Sequence, residues 1–259
     1  MITLKSPALK SPAQIAKMRT SGRIVHQVLK QTGEAVQPGV TTGELEDLAA
    51  RIISEYGGTS PFLGYTPAGH QPFPAWTCIS VNEEIVHGIP GRRKLVEGDI
   101  VTIDCGVELD GWMADSAWTF GVGKISPQAE RLLKVTEEAL YKGIDKARSG
   151  NRTGDIGHAV QAYAENHGFS VVRELTGHGV GTSLHEDPQV PNFGARGKGE
   201  ALRCGMTFAI EPMLNMGSKV IKYKDDGWTI VTADGKLSAH FEHTVAIVDN
   251  GVQILTKGD

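Results

Sequence analysis

Cysteine is scarce in this chain: three residues, Cys78, Cys105 and Cys204, among 259. An odd and scattered set excludes a disulfide framework and fits a reducing compartment. Neither sign of charge dominates, with 26 basic against 30 acidic residues and a formal net charge of -4. That balance gives no electrostatic reason to expect nucleic acid or an anionic membrane as the main partner. No stretch approaches the roughly 20 apolar residues of a membrane-spanning helix. The opening Met1 to Lys10, MITLKSPALK, holds lysines but no apolar segment of the kind a secretory signal carries. A cytoplasmic protein is expected. Low-complexity linkers are absent too, and 40% apolar residues over this length can bury a substantial core, which excludes global disorder.

Glycine is plentiful, with 32 residues placed mainly in short turns between apolar segments, as in an α+β protein. A first helix is expected from about Ser11 to Gly33, with Pro12 at its start and Ile15, Met18, Ile24, Val25, Val28 and Leu29 at helical spacing. A second follows Pro38-Gly39, opened by a Thr41/Glu44 capping box and closed by Gly57-Gly58. The pattern then recurs. Ser126-Pro127 opens a third helix, and Ser149-Gly150 with Thr153-Gly154-Asp155-Ile156 echo Pro38-Gly39 and Thr42-Gly43-Glu44-Leu45 at a constant offset of 111. Gly98 to Asp104 parallels Gly205 to Glu211 at an offset of 107, each ending an apolar run on a carboxylate. The expectation is one domain over 1–259 with an internal repeat, about 11–120 and 125–255, whose halves face each other across a pseudo-twofold axis.

Two acids come first as chemistry. Leu109-Asp110-Gly111 signals a hairpin, and an Asp110-Gly111 turn pairs 106 with 115, which puts Asp104 and Asp115 on one face. They are either solvated strand acids or buried like charges that need a cation or a proton. His178 sits in Gly177-His178-Gly179-Val180-Gly181, where flanking glycines let the backbone approach a ligand. The third glycine of this run is misplaced for a dinucleotide loop, and no amphipathic helix follows. His87 and His185 each stand in an H-x-x-P stretch, and any one of these histidines taken alone is as readily structural. Glu211 ends the run Thr207 to Ile210, and Glu242 precedes Val245 to Val248. The whole set is two aspartates, two glutamates and one imidazole, each beside an apolar strand or a glycine turn. Four carboxylates balance two divalent cations, and this oxygen-rich set favours Mn²⁺, Fe²⁺, Co²⁺ or Zn²⁺ in a two-metal cluster.

Ordered motifs across Ser11 to Leu255 carry a resemblance. They are Ser80-Val81-Asn82, Val86-His87-Gly88-Ile89-Pro90, Ile103-Asp104-Cys105-Gly106, Asp110 to Asp115, Gly177 to Gly181, Ile210-Glu211-Pro212-Met213 and Phe241-Glu242-His243-Thr244. The sequence resembles the type I methionine aminopeptidases, whose pita-bread fold is shared with prolidase and creatinase. The resemblance implies two halves of helices plus strands around a central curved antiparallel sheet. It makes Asp104, Asp115, His178, Glu211 and Glu242 the ligands of two divalent ions, with Asp115 and Glu242 bridging, His178 and Glu211 completing one ion and Asp104 chelating the other. His87 and His185 match the family's substrate-contacting histidines. The implied reaction is metal-assisted removal of the initiator methionine when the second residue is small. Glu211 would shuttle the proton, His185 would steady the carbonyl oxygen and His87 would hold the scissile amide. The N-terminus lacks the Cys/His extension of the eukaryotic cytosolic form, which points to the bacterial or organellar subtype. Implied partners are nascent polypeptide N-termini, met in transient contact with the ribosome by a monomer.

One stretch departs from the family pattern. The pocket segment reads Phe62-Leu63-Gly64-Tyr65, then Thr66 to Trp76, then Thr77-Cys78, with Phe62 in place of a small residue and a loop about five residues longer. Tyr65, Phe73, Cys78 and Trp228 are the expected walls of a methionine pocket, since a thioether suits aromatic and sulfur contacts. Two other readings compete: a proline-directed peptidase of the prolidase or aminopeptidase P kind, for whose N-terminal domain the chain has no room, and an inactive pita-bread binding protein, which should have lost ligands.

Overall fold

The computed structural model describes residues 7–67 and 69–258. The expectations made for Met1 to Ser6 of the opening segment, for Ala68 in the long loop and for Asp259 lie outside the described residues. Two helices lead: α1 (Pro12–Ala35) and α2 (Thr42–Glu55). Strands β1 (Thr77–Val81), β2 (Glu84–Val86), β3 (Ile100–Leu109) and β4 (Trp112–Gly121) follow, then α3 (Pro127–Ile144) and α4 (Thr153–Asn166). The remainder is short strands: β5 (Ser170–Val171), β6 (Thr176–Gly179), β7 (Glu186–Pro191), β8 (Thr207–Ile210), β9 (Met213–Asn215), β10 (Ile221–Tyr223), β11 (Ile230–Thr232), β12 (Ser238–His240), β13 (His243–Val248) and β14 (Gly251–Ile254). The class is α+β.

Local chemistry sets the helix starts. Ser11 caps α1 by accepting from Gln14 N–H, and Gln14 Oε1 accepts from Ser11 N–H in return. Thr41 and Glu44 make the same box on α2, and Ser126 caps α3. α4 departs from this: its N-cap is Arg152, which has no short polar side chain to offer, so Asp155 accepts the Arg152 N–H from inside the helix. The segments that lead into α2 and α4 make matching backbone bonds. Gly39, Thr42 and Gly43 donate to Leu95, Arg93 and Gly91, and Gly150, Thr153 and Gly154 donate to Leu202, Glu200 and Lys198. A side chain at Gly154 would lie 2.5 Å from the Ala195 carbonyl, so only glycine lets that loop close.

Every strand pairing is antiparallel. Hydrogen bonding groups the strands as β1-β3-β4, β10-β11-β2, β12-β9-β5 and β14-β13-β8-β6-β7. The Glu242 N–H donates to Ala117 O at 2.9 Å and ties β4 to the start of β13, and so joins the first sheet to the last. α1 and α2 cover an apolar core that includes Val101, Ile103 and Val107 of β3, while α3 and α4 cover one that includes Phe208, Ile210 and Val245. Trp118 packs against both cores.

The β3–β4 hairpin positions the first acids. Asp110 and Gly111 take positive φ values of 50° and 77°, the conformation of a tight two-residue turn, and the register pairs Gly106 with Asp115. Asp104 nonetheless does not end its strand. β3 continues five residues past it to Leu109, because the turn pairs every residue up to itself, whereas Glu211 does follow directly on the last residue of β8. The two acids at the ends of apolar runs therefore sit at unlike points of their strands.

Candidate active site

One cavity of about 340 Å³ gathers every residue singled out in the sequence: Asp104, Asp115, His178, Glu211 and Glu242, then His87 and His185, then Tyr65, Phe73, Cys78 and Trp228. Five separate segments supply the polar end. Asp104 comes from the middle of β3, opposite Cys78 on β1 and Ala117 on β4. Asp115 is fastened through its backbone: its N–H donates to Thr244 Oγ1 at 2.9 Å, and Thr244 Oγ1 donates to its carbonyl at 2.7 Å. Ser116 Oγ donates to the Glu242 carbonyl, so the two buried acids Asp115 and Glu242 are clamped on neighbouring strands. Asn192 Nδ2 donates to the Glu211 carbonyl at 3.0 Å. His178 donates from Nδ1 to the Gly179 carbonyl at 3.0 Å, which leaves the Nε2 lone pair facing Glu211 Oε1 at 3.5 Å and Asp115 Oδ2 at 3.9 Å.

These backbones are fully tied, yet the carboxylates are not. Asp104 Oδ1, Asp115 Oδ1, Glu211 Oε1 and Glu242 Oε1 are buried without a hydrogen-bond partner. No lysine or arginine lines the cavity among the described residues. Burial pushes all four carboxyls above the usual range, Asp115 to about 7, and the neighbouring charges push Asp104, Glu211 and Glu242 further. Burial likewise depresses the imidazoles, His178 to about 3 and His87 to about 4, so the histidines are neutral and cannot offset the acids. Withdrawing an ionised carboxylate from water costs several kcal/mol. Four together with no counter-charge call for protons or cations. Asp115, His178 and Glu242 offer ligand atoms that all lie within 4.8 Å of one another, so the donor set fits divalent ions of the hard or borderline kind.

The other end is apolar. Phe62, Phe73, Cys78, Leu184 and Trp228 form a buried cluster with Tyr65 against it, and Phe73 meets Trp228 edge-on at 5.1 Å. The long loop does not spread these walls apart. Gly64 N–H donates to Phe73 O at 2.8 Å and Phe73 N–H donates to Tyr65 O at 2.9 Å, so the two walls are pinned, while Pro67 and His70 of the loop also line the cavity and the His70 ring lies 5.2 Å from that of Trp228. The bulk of Phe62 is accepted by Gly106, where a Cβ would lie 2.8 Å from its ring. Burial, and after it the nearby acids, keeps the Cys78 thiol protonated, which makes it a wall and not a nucleophile.

The two substrate-facing histidines stand between the ends. His87 holds a strained φ of 59°, with Thr229 Oγ1 donating to its carbonyl at 3.4 Å. The ring of His185 lies 4.2 Å from that of His178 and 5.1 Å from that of Tyr65. Its loop is clamped by Glu186, which accepts from Thr182 N–H at 2.8 Å and Ser183 N–H at 3.2 Å and pairs with the buried ammonium of Lys10. Sequence reasoning missed Lys10, Thr244, Asn192 and His240. The first three act through bonds to residues elsewhere in the chain, which no periodicity signals. His240 left a trace, as a second histidine two residues before Glu242 in an otherwise apolar stretch.

The model of metallopeptidase family M24 matches residues 16–249. A methionine aminopeptidase of Clostridium perfringens is 53% identical over 248 residues, which cover 96% of this chain and 98% of that protein. The crystal structure of a methionine aminopeptidase from Rickettsia prowazekii superposes with a TM-score of 0.94 at 40% identity, covering 97% of this chain and all of that one. A prolidase from Pyrococcus horikoshii shares the fold at a TM-score of 0.75 with 21% identity, this chain spanning 64% of its length.

Proposed function

The chain belongs to metallopeptidase family M24, and from that premise we propose that it removes the N-terminal methionine from peptides and nascent proteins whose second residue is small, with two divalent cations bound by Asp104, Asp115, His178, Glu211 and Glu242. The observation that carries this reading is the cavity itself: orphaned acid oxygens at one end and an aromatic, sulfur-containing pocket at the other. When bound, the ions supply Lewis acidity that lets water attack a peptide carbonyl at neutral pH. Asp115 and Glu242 would bridge the ions, His178 and Glu211 would complete one and Asp104 would chelate the other.

The chain's own groups do the rest. Glu211, a ligand with a second oxygen to spare, accepts the proton that the attacking water gives up and returns it to the leaving amine. His185, neutral and held by the Glu186 clamp, donates to the carbonyl oxygen as it gains charge. His87 holds the scissile amide. Tyr65, Phe73, Cys78 and Trp228 enclose the unbranched thioether side chain, and the two histidines crowd the residue after the cut. We further read 1–259 as one catalytic domain made by duplication of about 11–120 and 125–255, which the matching bonds ahead of α2 and α4 support. Among the described residues no helix is long and apolar enough to cross a membrane. The proposed setting is the cytoplasm, where a monomer meets chain N-termini at the ribosome.

The test is kcat/KM on Met-X-Ser peptides, with X from Gly to Trp, and on Ala-Pro peptides, using chelated enzyme to which Co²⁺, Mn²⁺, Fe²⁺ or Zn²⁺ is returned. Met-Gly and Met-Ala peptides should be cut and Met-Trp and Ala-Pro peptides spared. Equal rates for Met-Gly and Met-Trp, or faster cleavage of Ala-Pro, would refute the reading.

A further inference from the structure

His240 closes β12 and lines the cavity beside Glu242, yet none of the roles above uses it. Its backbone is locked. The His240 N–H donates to Thr119 Oγ1 at 3.0 Å, and Thr119 Oγ1 donates to the His240 carbonyl at 2.8 Å. Thr119 Oγ1 also lies 2.8 Å from Thr102 Oγ1 across the β3–β4 hairpin. A ring held this way has little freedom to turn out of the cavity. The residue is only 2% exposed, and neither of its ring nitrogens has a hydrogen-bond partner. A buried imidazole with two unpaired nitrogens costs stability unless something in the cavity answers it. What faces it is Glu242 Oε2, 3.8 Å from Nε2.

The contrast with His178 assigns the role. His178 spends its Nδ1 proton on the Gly179 carbonyl, so its Nε2 carries a lone pair and suits a ligand. His240 has no acceptor at Nδ1, and the one acceptor near its ring is the carboxylate facing Nε2, so the N–H belongs on Nε2. That proton points away from ligation and toward Glu242. The carboxylate then has two distinct oxygens: Oε2 beside the imidazole, and Oε1, buried and unpartnered, in a residue whose carboxylate shares ligand distance with Asp115 and His178.

We propose that His240 is a positioning residue of the metal centre: its Nε2–H donates to Glu242 Oε2, closing by under 1 Å when ions draw the carboxylates together, and so holds Oε1 toward the cations. The proposal rests on the two-cation reading above. A hydrogen bond of this kind fixes the direction of a bridging carboxylate, and losing such a partner lowers metal affinity by about 10–100-fold.

Chelator-stripped protein titrated with Co²⁺ alone, in competition with a metal indicator, gives the affinity, and the visible absorption of the Co²⁺-loaded protein reports nitrogen ligation. His240→Leu, which keeps bulk without a donor, should bind Co²⁺ roughly 10–100-fold more weakly. His240→Gln, whose amide N–H can reach Glu242, should restore affinity to within a few-fold and leave the Co²⁺ spectrum like that of the wild type. Should the leucine variant not fold, His240→Asn, too short to reach, takes its place and should bind weakly. Affinity unchanged in the variant without a reaching donor would overturn the proposal, as would a glutamine variant as weak as leucine or with an altered spectrum, which would make the imidazole a direct ligand. Wild-type protein that binds no Co²⁺ would instead remove the metal reading, and this proposal with it.

Discussion

At one end of the cavity, Asp115 and Glu242 are held by backbone hydrogen bonds with Thr244, Ser116 and Ala117 while one buried carboxylate oxygen of each goes unpaired. At the other, Phe73, Trp228 and Tyr65 stand on loops, yet their side chains pack on one another and on Phe62 and Cys78. The acid end has a settled backbone and unsettled side chains, and bound cations would satisfy it. The apolar end packs without any ligand, because aromatic rings gain from contact with each other as well as from contact with a substrate, and its one buried unpartnered polar atom among the described residues is Trp228 Nε1. Substitutions at the two ends should accordingly move stability in opposite directions, even where both reduce activity.

The largest effect should come from Asp115→Asn. One of four charges disappears and Asp115 is buried among the others, so turnover on Met-Ala-Ser should vanish together with tight metal binding. In chelator-stripped protein the same change removes a buried repulsion, and the melting temperature should hold or rise. Near wild-type turnover with two tightly bound ions would break the contrast at its acid end. Next in size, His185→Ala should lower kcat by about 10²–10³-fold, the scale of one lost oxyanion donor, with metal content unchanged. A fall in metal stoichiometry would move His185 from the substrate to the ions.

Trp228→Ala probes the opposite end. It should lower kcat/KM for methionine peptides by roughly tenfold, the upper range of a sulfur–aromatic contact. Unlike Asp115→Asn it should also destabilise stripped protein, by about 3 kcal/mol for a buried tryptophan removed from its cluster. Urea midpoints of the two variants, read side by side without metal, test whether the ends differ as described.

The two ends also differed in how plainly the sequence announced them. The Asp110-Gly111 turn is a local signal with one register, so the pairing of Gly106 with Asp115, and the shared face of Asp104 and Asp115, could be read directly. The capping boxes at Ser11 and Thr41 were equally local. The helix boundaries shifted by only a residue or two: α1 runs to Ala35 where Gly33 was expected, since the Gly33 carbonyl still accepts from the Val36 N–H. Long-range complementarity was invisible. Nothing near Phe62 in the chain tells of Gly106, whose missing side chain admits the ring, and nothing near Tyr65 tells that Phe73 pins the loop. An apolar run does not by itself mark a strand end: β3 continues past Asp104 to Leu109 because the turn lies beyond it.

The smallest effect concerns His87, which sits where the two ends meet. Burial, and then the neighbouring His185 and His70, hold its imidazole down to about 4. In the unfolded chain the same group titrates near 6.5. Between those values the unfolded chain binds more protons than the folded one, so stability falls as pH falls. The contribution of a neutral His87 is therefore fully present above pH 6.5 and is lost as the pH drops toward 4. His87→Gln should remove this one group's share and leave those of the other depressed histidines, His178, His185, His240 and His243. Measured on stripped protein at pH 7.5, 6 and 5, the stability of wild type minus that of His87→Gln should shrink steadily with acid, by less than one proton's slope. The raised carboxyls act equally in both proteins and cancel from that difference. A gap that widens toward pH 5 would mean that folded His87 gains a proton more readily than the unfolded chain does. The acid end would then reach it with its charge, and the division between a charged end awaiting ions and a neutral end complete in itself would fail at this residue.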